Sequence, residues 1–205
     1  MTTDIFSEIE RSETADDLFD LINDYYRGQG FGGICYVAPS AAAGPYVLMH
    51  RGMPEDWMAR YEAQQLHLHD PIPGLAFQLG HPERLDELIA TLPSLNSNEQ
   101  AFMEAFKNSG LTNGLLVPTY GPFGRPGLIG LTQIAHPALL DELNIPLVSA
   151  VAHQMHNRME LLQVREPIPG LSPRERQILK WLGKGKSNSD IAAILGLALP
   201  TPFGV

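Results

Sequence analysis

Two pairs of β-like runs, far apart in the chain, constrain the fold more than any other feature. The first pair is FGGICYVAP and PYVLMHR, joined by the turn-prone SAAAG; the second is LTNGLLVPTY and GLIGLTQIA, joined by GPFGRP. Short apolar runs bounded by Gly and Pro read as hairpins. Around them the apolar spacing turns helical. Thr14, with Asp17 three residues on, opens a helix carrying Leu18, Ile22, Tyr25 and Tyr26, which Gly28 and Gly30 end. Pro54 opens another that stacks Trp57, Tyr61 and Gln65 on one face, and DPIPG breaks the chain after it. Helices are expected from Pro82 to about Ala90 and from about Asn98 to Asn108, the latter with Ser97 and Gln100 as its capping box and Gly110 as its stop. A last helical stretch, 137–164, sets Leu140, Leu143, Leu147, Val151, Met155, Met159 and Leu162 near a repeat of about 3.5 residues and is kinked or restarted at Pro146. The order helix, hairpin, helices, hairpin, helix predicts an α/β fold: an α-β-α sandwich whose central antiparallel sheet is covered on both faces.

A chain of 205 residues, 44% hydrophobic and 18% charged, holds one ordinary domain plus a small appendage. Its net charge of −9 would argue against a nucleic-acid partner, but the charge is unevenly spread. From Arg165 onward there are six basic residues (Arg165, Arg174, Arg176, Lys180, Lys184, Lys186) against three acidic ones (Glu166, Glu175, Asp190), a balance of +3 that leaves −12 for the first 164. The Pro/Gly segment REPIPG at 165–170 separates the two parts. The expected organisation is a domain at 1–164, a linker at 165–170, a basic module at 171–197 and a tail at 198–205.

Within the basic module, Ser172, Pro173 and Glu175 form a complete helix entry: hydroxyl cap, proline where no N–H is needed, and a carboxylate reaching back. GKGK turns the chain, and Ser187 with Asp190 opens a second helix that Gly196 closes. Two capped helices joined by a glycine turn make the first half of a helix-turn-helix unit. The stretch LSPRERQILKWLGKGKSNSDIAAILGL resembles the start of the DNA-binding domain of LuxR-type transcription regulators, with Glu175, Leu179, Gly185 and Lys186 on its DNA-binding motif. The resemblance implies a recognition helix next, yet the residues there read ALPTPFGV, whose two prolines do not suit a helix reaching base edges.

In the same family the first domain binds N-acyl homoserine lactones, and MPEDWMARYEAQQLHLHDP at 53–71 resembles its signature. The resemblance implies that the Trp57 indole N–H donates to the lactone carbonyl, that the Tyr61 hydroxyl donates to the amide carbonyl, and that Asp70 accepts from the amide N–H. Two donors and one acceptor are what a buried lactone and amide require. VPTYGPFGRPGLIGLT places Thr132 where members carry a Ser or Thr near the amide. Tyr46, Met53 and Leu85 complete the expected ligand-binding set; Leu85 stands where the family usually has an aromatic residue and Met53 where several members have Tyr, which implies a reshaped pocket. Read without the resemblance, Trp57 and Tyr61 are equally the core face of a helix, Asp70 a turn cap before Pro71, and Thr132 an ordinary strand residue.

Other chemistries fit less well. HLHD at 67–70 has the wrong spacing for a metallo-lactonase, and His153 and His156 are expected on the surface. GQGFGG precedes a strand rather than a helix, and no GxSxG occurs, so neither nucleotide binding nor a serine hydrolase is expected. The lone Cys35 excludes an intramolecular disulfide and reads as a small core residue. The N-terminus is acidic where a secretory signal would be basic then apolar, and no run of about 18 apolar residues occurs. The expectation is therefore a cytoplasmic, non-enzymatic regulator with no cofactor or metal and no membrane partner. Its ligand is an N-acyl homoserine lactone or an analogue, aryl forms included. It is expected to form a homodimer, or a heterodimer with a full-length homologue in the manner of an antiactivator. DNA binding is expected only with a complete reading head, and the shortened ending could also reflect a frameshift.

Overall fold

The two hairpins join in one five-stranded sheet in the computed structural model, which describes residues 4–39, 46–111, 113–163 and 172–196. In chain order the elements are α1 (Ile5–Arg11), α2 (Ala15–Arg27), β1 (Phe31–Pro39), β2 (Tyr46–Arg51), α3 (Glu55–Ala63), α4 (Ile72–Leu79), β3 (Glu83–Arg84), α5 (Leu85–Ala90), α6 (Ser97–Lys107), β4 (Gly114–Tyr120), β5 (Pro126–Ile134), α7 (Leu139–Glu142), α8 (Ile145–Gln163), α9 (Pro173–Leu182) and α10 (Asn188–Leu195). The strand order is β2-β1-β5-β4-β3, every neighbour antiparallel. The central pairing sets Gly33 opposite Thr132, Cys35 opposite Gly130 and Val37 opposite Leu128. Side chains alternate across a strand. Ile34 and Tyr36 therefore join Ile129 and Leu131 on one face, while Cys35 and Val37 join Leu128, Gly130 and Thr132 on the other.

The first face is packed by α1, α2 and α8 through Ile9, Leu18, Phe19, Ile22, Val151, Met155 and Met159, all fully buried. Thr14 caps α2 by accepting the Asp17 N–H at 3.1 Å, and the Tyr26 hydroxyl donates to the Val148 carbonyl at 2.9 Å. The second face is packed by α3, α4, α5 and α6 through Trp57, Met58, Ile72, Leu88, Phe102 and Phe106. The sandwich expected from the order of elements is the one observed.

Several local expectations differ. Helix α3 ends at Ala63, and Gln65 turns left-handed with φ 51°, so it leaves the face shared by Trp57 and Tyr61. The prolines of DPIPG start a helix as well as ending one: Pro71 precedes α4 and Pro73 lies in its first turn, where a missing N–H costs nothing. Glu83 and Arg84 are not helical, because they pair with Leu116 and Leu115 at the sheet edge. The capping box of α6 sits one residue earlier than expected. Asn96 Oδ1 accepts the Glu99 N–H at 3.0 Å and Glu99 Oε2 accepts the Asn96 N–H at 2.9 Å, an ionised acceptor winning over the Gln100 amide. Pro146 restarts the helix as the second residue of α8, and Asn144 Oδ1 accepts the Leu147 N–H at 3.2 Å.

His156 is the largest departure: it is fully buried rather than on the surface. Its Nε2 lies 3.0 Å from the Arg125 carbonyl oxygen, which can only accept, so Nε2 carries the proton. Nδ1 is then bare, and the Tyr36 hydroxyl donates to it at 2.8 Å. Burial holds the imidazole pKa below its ordinary value, with the Arg125 carbonyl and Glu160 pulling the other way. Space for the ring comes from Gly127, where a Cβ would lie 2.5 Å from Nδ1. Gly127→Ala is therefore expected to cost about 1–3 kcal/mol of stability, read from chemical denaturation; an unchanged midpoint would contradict so close an approach.

The chain divides into two compact units, Met1–Arg165 and Glu166–Val205. In the second, Ser172 Oγ accepts the Glu175 N–H at 3.2 Å and Glu175 Oε2 accepts the Ser172 N–H at 2.7 Å, so the expected capping box of α9 is present. Ser187 and Asp190 repeat it at α10. Gly185 adopts φ +73° in the turn between them, a conformation that favours glycine. The expected linker at 165–170 and tail at 198–205 lie outside the described residues, as does the expectation about DNA output that rests on the tail.

Candidate functional site

The second face of the sheet is incompletely filled. Between it and α3, α4, α5 and α6 lies a cavity with about 80 Å³ of space open to the centres of water-sized molecules, room for several waters. The floor is Cys35, Val37, Leu48, Leu116, Leu128, Gly130 and Thr132; the roof includes Trp57, Met58, Ile72, Leu85, Phe102 and Phe106. Most of this lining is apolar. The polar groups are few, and they belong to Trp57, Tyr61, Asp70, Thr132 and Cys35.

Trp57 and Tyr61 are one helical turn apart on α3, so both rings project to the same side. Trp57 meets Phe102 and Phe106 edge-on, with centroids 5.9 Å and 5.6 Å away, and is 6.1 Å from Tyr61. Its indole N–H has no acceptor among the described residues. Asp70 does two jobs. Its Oδ1 accepts the Ile72 N–H at 2.9 Å, fastening the entry to α4, and its Oδ2 accepts the Tyr61 hydroxyl at 3.0 Å. Burial pushes the Asp70 carboxyl up to about 6, against the two hydrogen bonds that favour its charge. The same burial, with the neighbouring carboxylate, drives the Tyr61 hydroxyl above its ordinary range. A carboxylate has room for about four hydrogen bonds. Asp70 therefore keeps acceptor capacity on the cavity wall.

Thr132 is buried beside them, its hydroxyl 3.3 Å from the Met53 sulfur and 3.5 Å from the Gly33 carbonyl. Trp57, Tyr61, Asp70, Thr132, Leu85 and Met53 thus line one cavity. Tyr46 does not join them. At the first residue of the outer strand β2, its hydroxyl lies 3.1 Å from His67 Nδ1, with the two rings 4.6 Å apart. That contact also occupies one histidine of HLHD; among the described residues no cluster of His, Cys, Asp and Glu gathers that could hold a metal.

Cys35, Phe102 and Phe106 were not singled out by sequence reasoning as cavity residues. The pair Phe102 and Phe106, at helical spacing in AFMEAF, was a signal for the roof. Cys35 alternates with Ile34 and Tyr36 and faces the cavity, where burial pushes its thiol up to about 11. In the second unit, Glu175 is spent on its capping box, Leu179 is half exposed, and the Lys186 N–H donates to the Trp181 carbonyl at 3.1 Å. Among the described residues no helix is long and apolar enough to cross a membrane.

Comparison with known proteins places this geometry in context. Residues 14–159 match the family description "Autoinducer binding domain", and residues 169–201 match "Bacterial regulatory proteins, luxR family". The chain is similar to "Regulatory protein SdiA" of Escherichia coli (strain K12), 27% identical over 203 residues that cover 92% of this chain and 79% of that protein. It is also similar to "Transcriptional activator protein AhyR" of Aeromonas hydrophila, 28% identical over 194 residues, covering 89% of this chain and 73% of the relative. A solved structure described as SdiA in complex with octanoyl-rac-glycerol matches with a TM-score of 0.63 and 26% identity, covering 97% of this chain and 84% of that one.

Proposed function

The chain belongs to the autoinducer-binding, LuxR-type transcription regulators, and from that premise we propose that its cavity takes up an N-acyl homoserine lactone. The observation that carries the reading is the Tyr61–Asp70 pair, a donor and an acceptor 3.0 Å apart in a cavity otherwise lined by apolar side chains. In this reading Asp70 accepts the amide N–H, Tyr61 turns its hydroxyl to the amide carbonyl, and Trp57 donates its indole N–H to the lactone carbonyl. Thr132 flanks the amide and Met53 closes over it. Leu85 gives the lactone an aliphatic neighbour, and the acyl chain lies against Val37, Leu48 and Leu128. Burial of that chain supplies most of the affinity, at roughly 0.8 kcal/mol per methylene.

The match to SdiA holding octanoyl-rac-glycerol supports a second ligand class, a monoacylglycerol, whose hydroxyls would replace the amide N–H as donors to Asp70. A ligand that binds only the folded form stabilises it by about 2.7 kcal/mol at a hundredfold excess over Kd. Melting curves of the full chain with acyl homoserine lactones from butanoyl to dodecanoyl, aryl homoserine lactones and octanoyl glycerol test the reading. A clear rise of the midpoint with an acyl homoserine lactone is expected. A rise with octanoyl glycerol alone moves the assignment to that class, and no rise with any of them removes it.

A further inference from the structure

The polar group around His156 lies across the sheet from the cavity and has no part in the ligand contacts proposed above. Besides Tyr36 and the Arg125 carbonyl, it includes Glu160, nearly buried one turn along α8, which accepts from Arg125 Nη1 at 2.8 Å. The strands make room for it twice. A Cβ at Gly127 would meet Nδ1, and one at Gly121 would lie 2.9 Å from Nε2. A buried polar cluster of this kind stabilises a helix interface less cheaply than apolar side chains would, but its hydrogen bonds hold only one geometry. Apolar layers tolerate small slides.

The partners of His156 are not arbitrary. Tyr36 stands in β1 between Cys35 and Val37, both in the cavity floor. Arg125 immediately precedes β5, whose Leu128, Gly130 and Thr132 form the rest of that floor. A single imidazole on α8 thus holds both strands on which a ligand would rest. Since each hydrogen bond weakens steeply with distance and angle, a shift of either strand toward or away from a ligand must change how α8 is held.

We propose that His156 is a positioning residue that couples occupancy of the cavity to the seating of α8 through Tyr36 and the Arg125 carbonyl. The inference rests on the ligand reading above. Coupling is reciprocal, so loosening the His156 contacts must weaken the ligand.

The test uses the full chain and the tightest binder from the butanoyl-to-dodecanoyl series, with Kd measured well below the melting temperature. Tyr36→Phe removes one oxygen from the far side of the sheet, and His156→Gln keeps a donor for the Arg125 carbonyl but loses the acceptor for Tyr36. Each is expected to weaken binding by about fivefold or more, and the double variant by no more than the worse single one. His156→Asn, whose Oδ1 stands in for Nδ1 but which has no donor reaching the Arg125 carbonyl, breaks the other link and is likewise expected to weaken binding by about fivefold or more. In the unchanged protein, the imidazole nitrogen resonances of His156 are expected to move on ligand addition, a readout that needs no variant. A purely structural role would lower the melting point of Tyr36→Phe and His156→Gln while leaving Kd and those resonances unmoved, and that result overturns the proposal. If the unchanged protein binds no lactone, the ligand reading fails and this inference falls with it. Binding with unmoved resonances and unchanged variant affinities defeats the coupling alone.

Discussion

Asp70→Asn is expected to weaken lactone binding by about tenfold to a hundredfold while making the empty protein more stable. The two effects have opposite signs because Asp70 is held at a cost. Its pKa, raised by burial from 3.8 to about 6, means that between roughly pH 4 and pH 6 the folded chain binds more protons than the unfolded one. Stability from this group is full below that window and falls as pH rises through it. At neutral pH the penalty is up to about 3 kcal/mol, which the neutral amide relieves. The same amide keeps an oxygen for the Ile72 N–H or the Tyr61 hydroxyl but turns its NH2 toward the ligand, where a donor then faces a donor. A ligand N–H prefers the ionised carboxylate, so affinity for the unchanged protein should be level above about pH 6 and fall by up to about tenfold per pH unit below it. Calorimetric titration across that range checks both statements. Affinity that is independent of pH, or an Asn variant that binds normally, would remove Asp70 from the ligand contacts.

Replacing Trp57 separates two roles that the fold superimposes. Trp57→Ala is expected to cost about 3–5 kcal/mol, because it empties the middle of the ring cluster formed with Tyr61, Phe102 and Phe106. Trp57→Phe keeps a ring against those neighbours and removes only the N–H. Its stability should change little, while lactone affinity falls by about fivefold to tenfold. Were Trp57 only a core residue, the Phe variant would bind as the parent does. Denaturation midpoints and dissociation constants measured on the same preparations distinguish the cases.

Much of this was legible in the residues because it depends on local chemistry. Thr14, Ser172 and Ser187 cap their helices through partners three positions away, and Trp57 and Tyr61 share a face because both lie on one helix. What escaped depends on distant parts of the chain. Nothing near Glu83 and Arg84 announces two residues of edge pairing with β4. His156 reads as a polar residue on a helix; its burial depends on Gly121 and Gly127, roughly thirty positions earlier, leaving a hole of the right shape. Tyr46 shares Leu48's face of β2 but stands at its first residue, where its hydroxyl meets His67, and it is not among the side chains that line the cavity. The prolines of DPIPG misled for the opposite reason, since the same residue that breaks a helix interior is well suited to a first turn.

The sheet's two faces are unequal: the layer under α1, α2 and α8 is finished, and the layer under α3 to α6 has a gap at its centre. A ligand that fills that gap, as proposed, would in effect be a missing piece of the protein interior, supplied from outside the gene. Its supply would then set how much of the chain stays folded at any moment, since binding to the native state alone draws the equilibrium toward it. Cells degrade chains in proportion to the time they spend open. On the proposed reading, the abundance of the regulator, and not only its activity, would then follow the supply of its ligand.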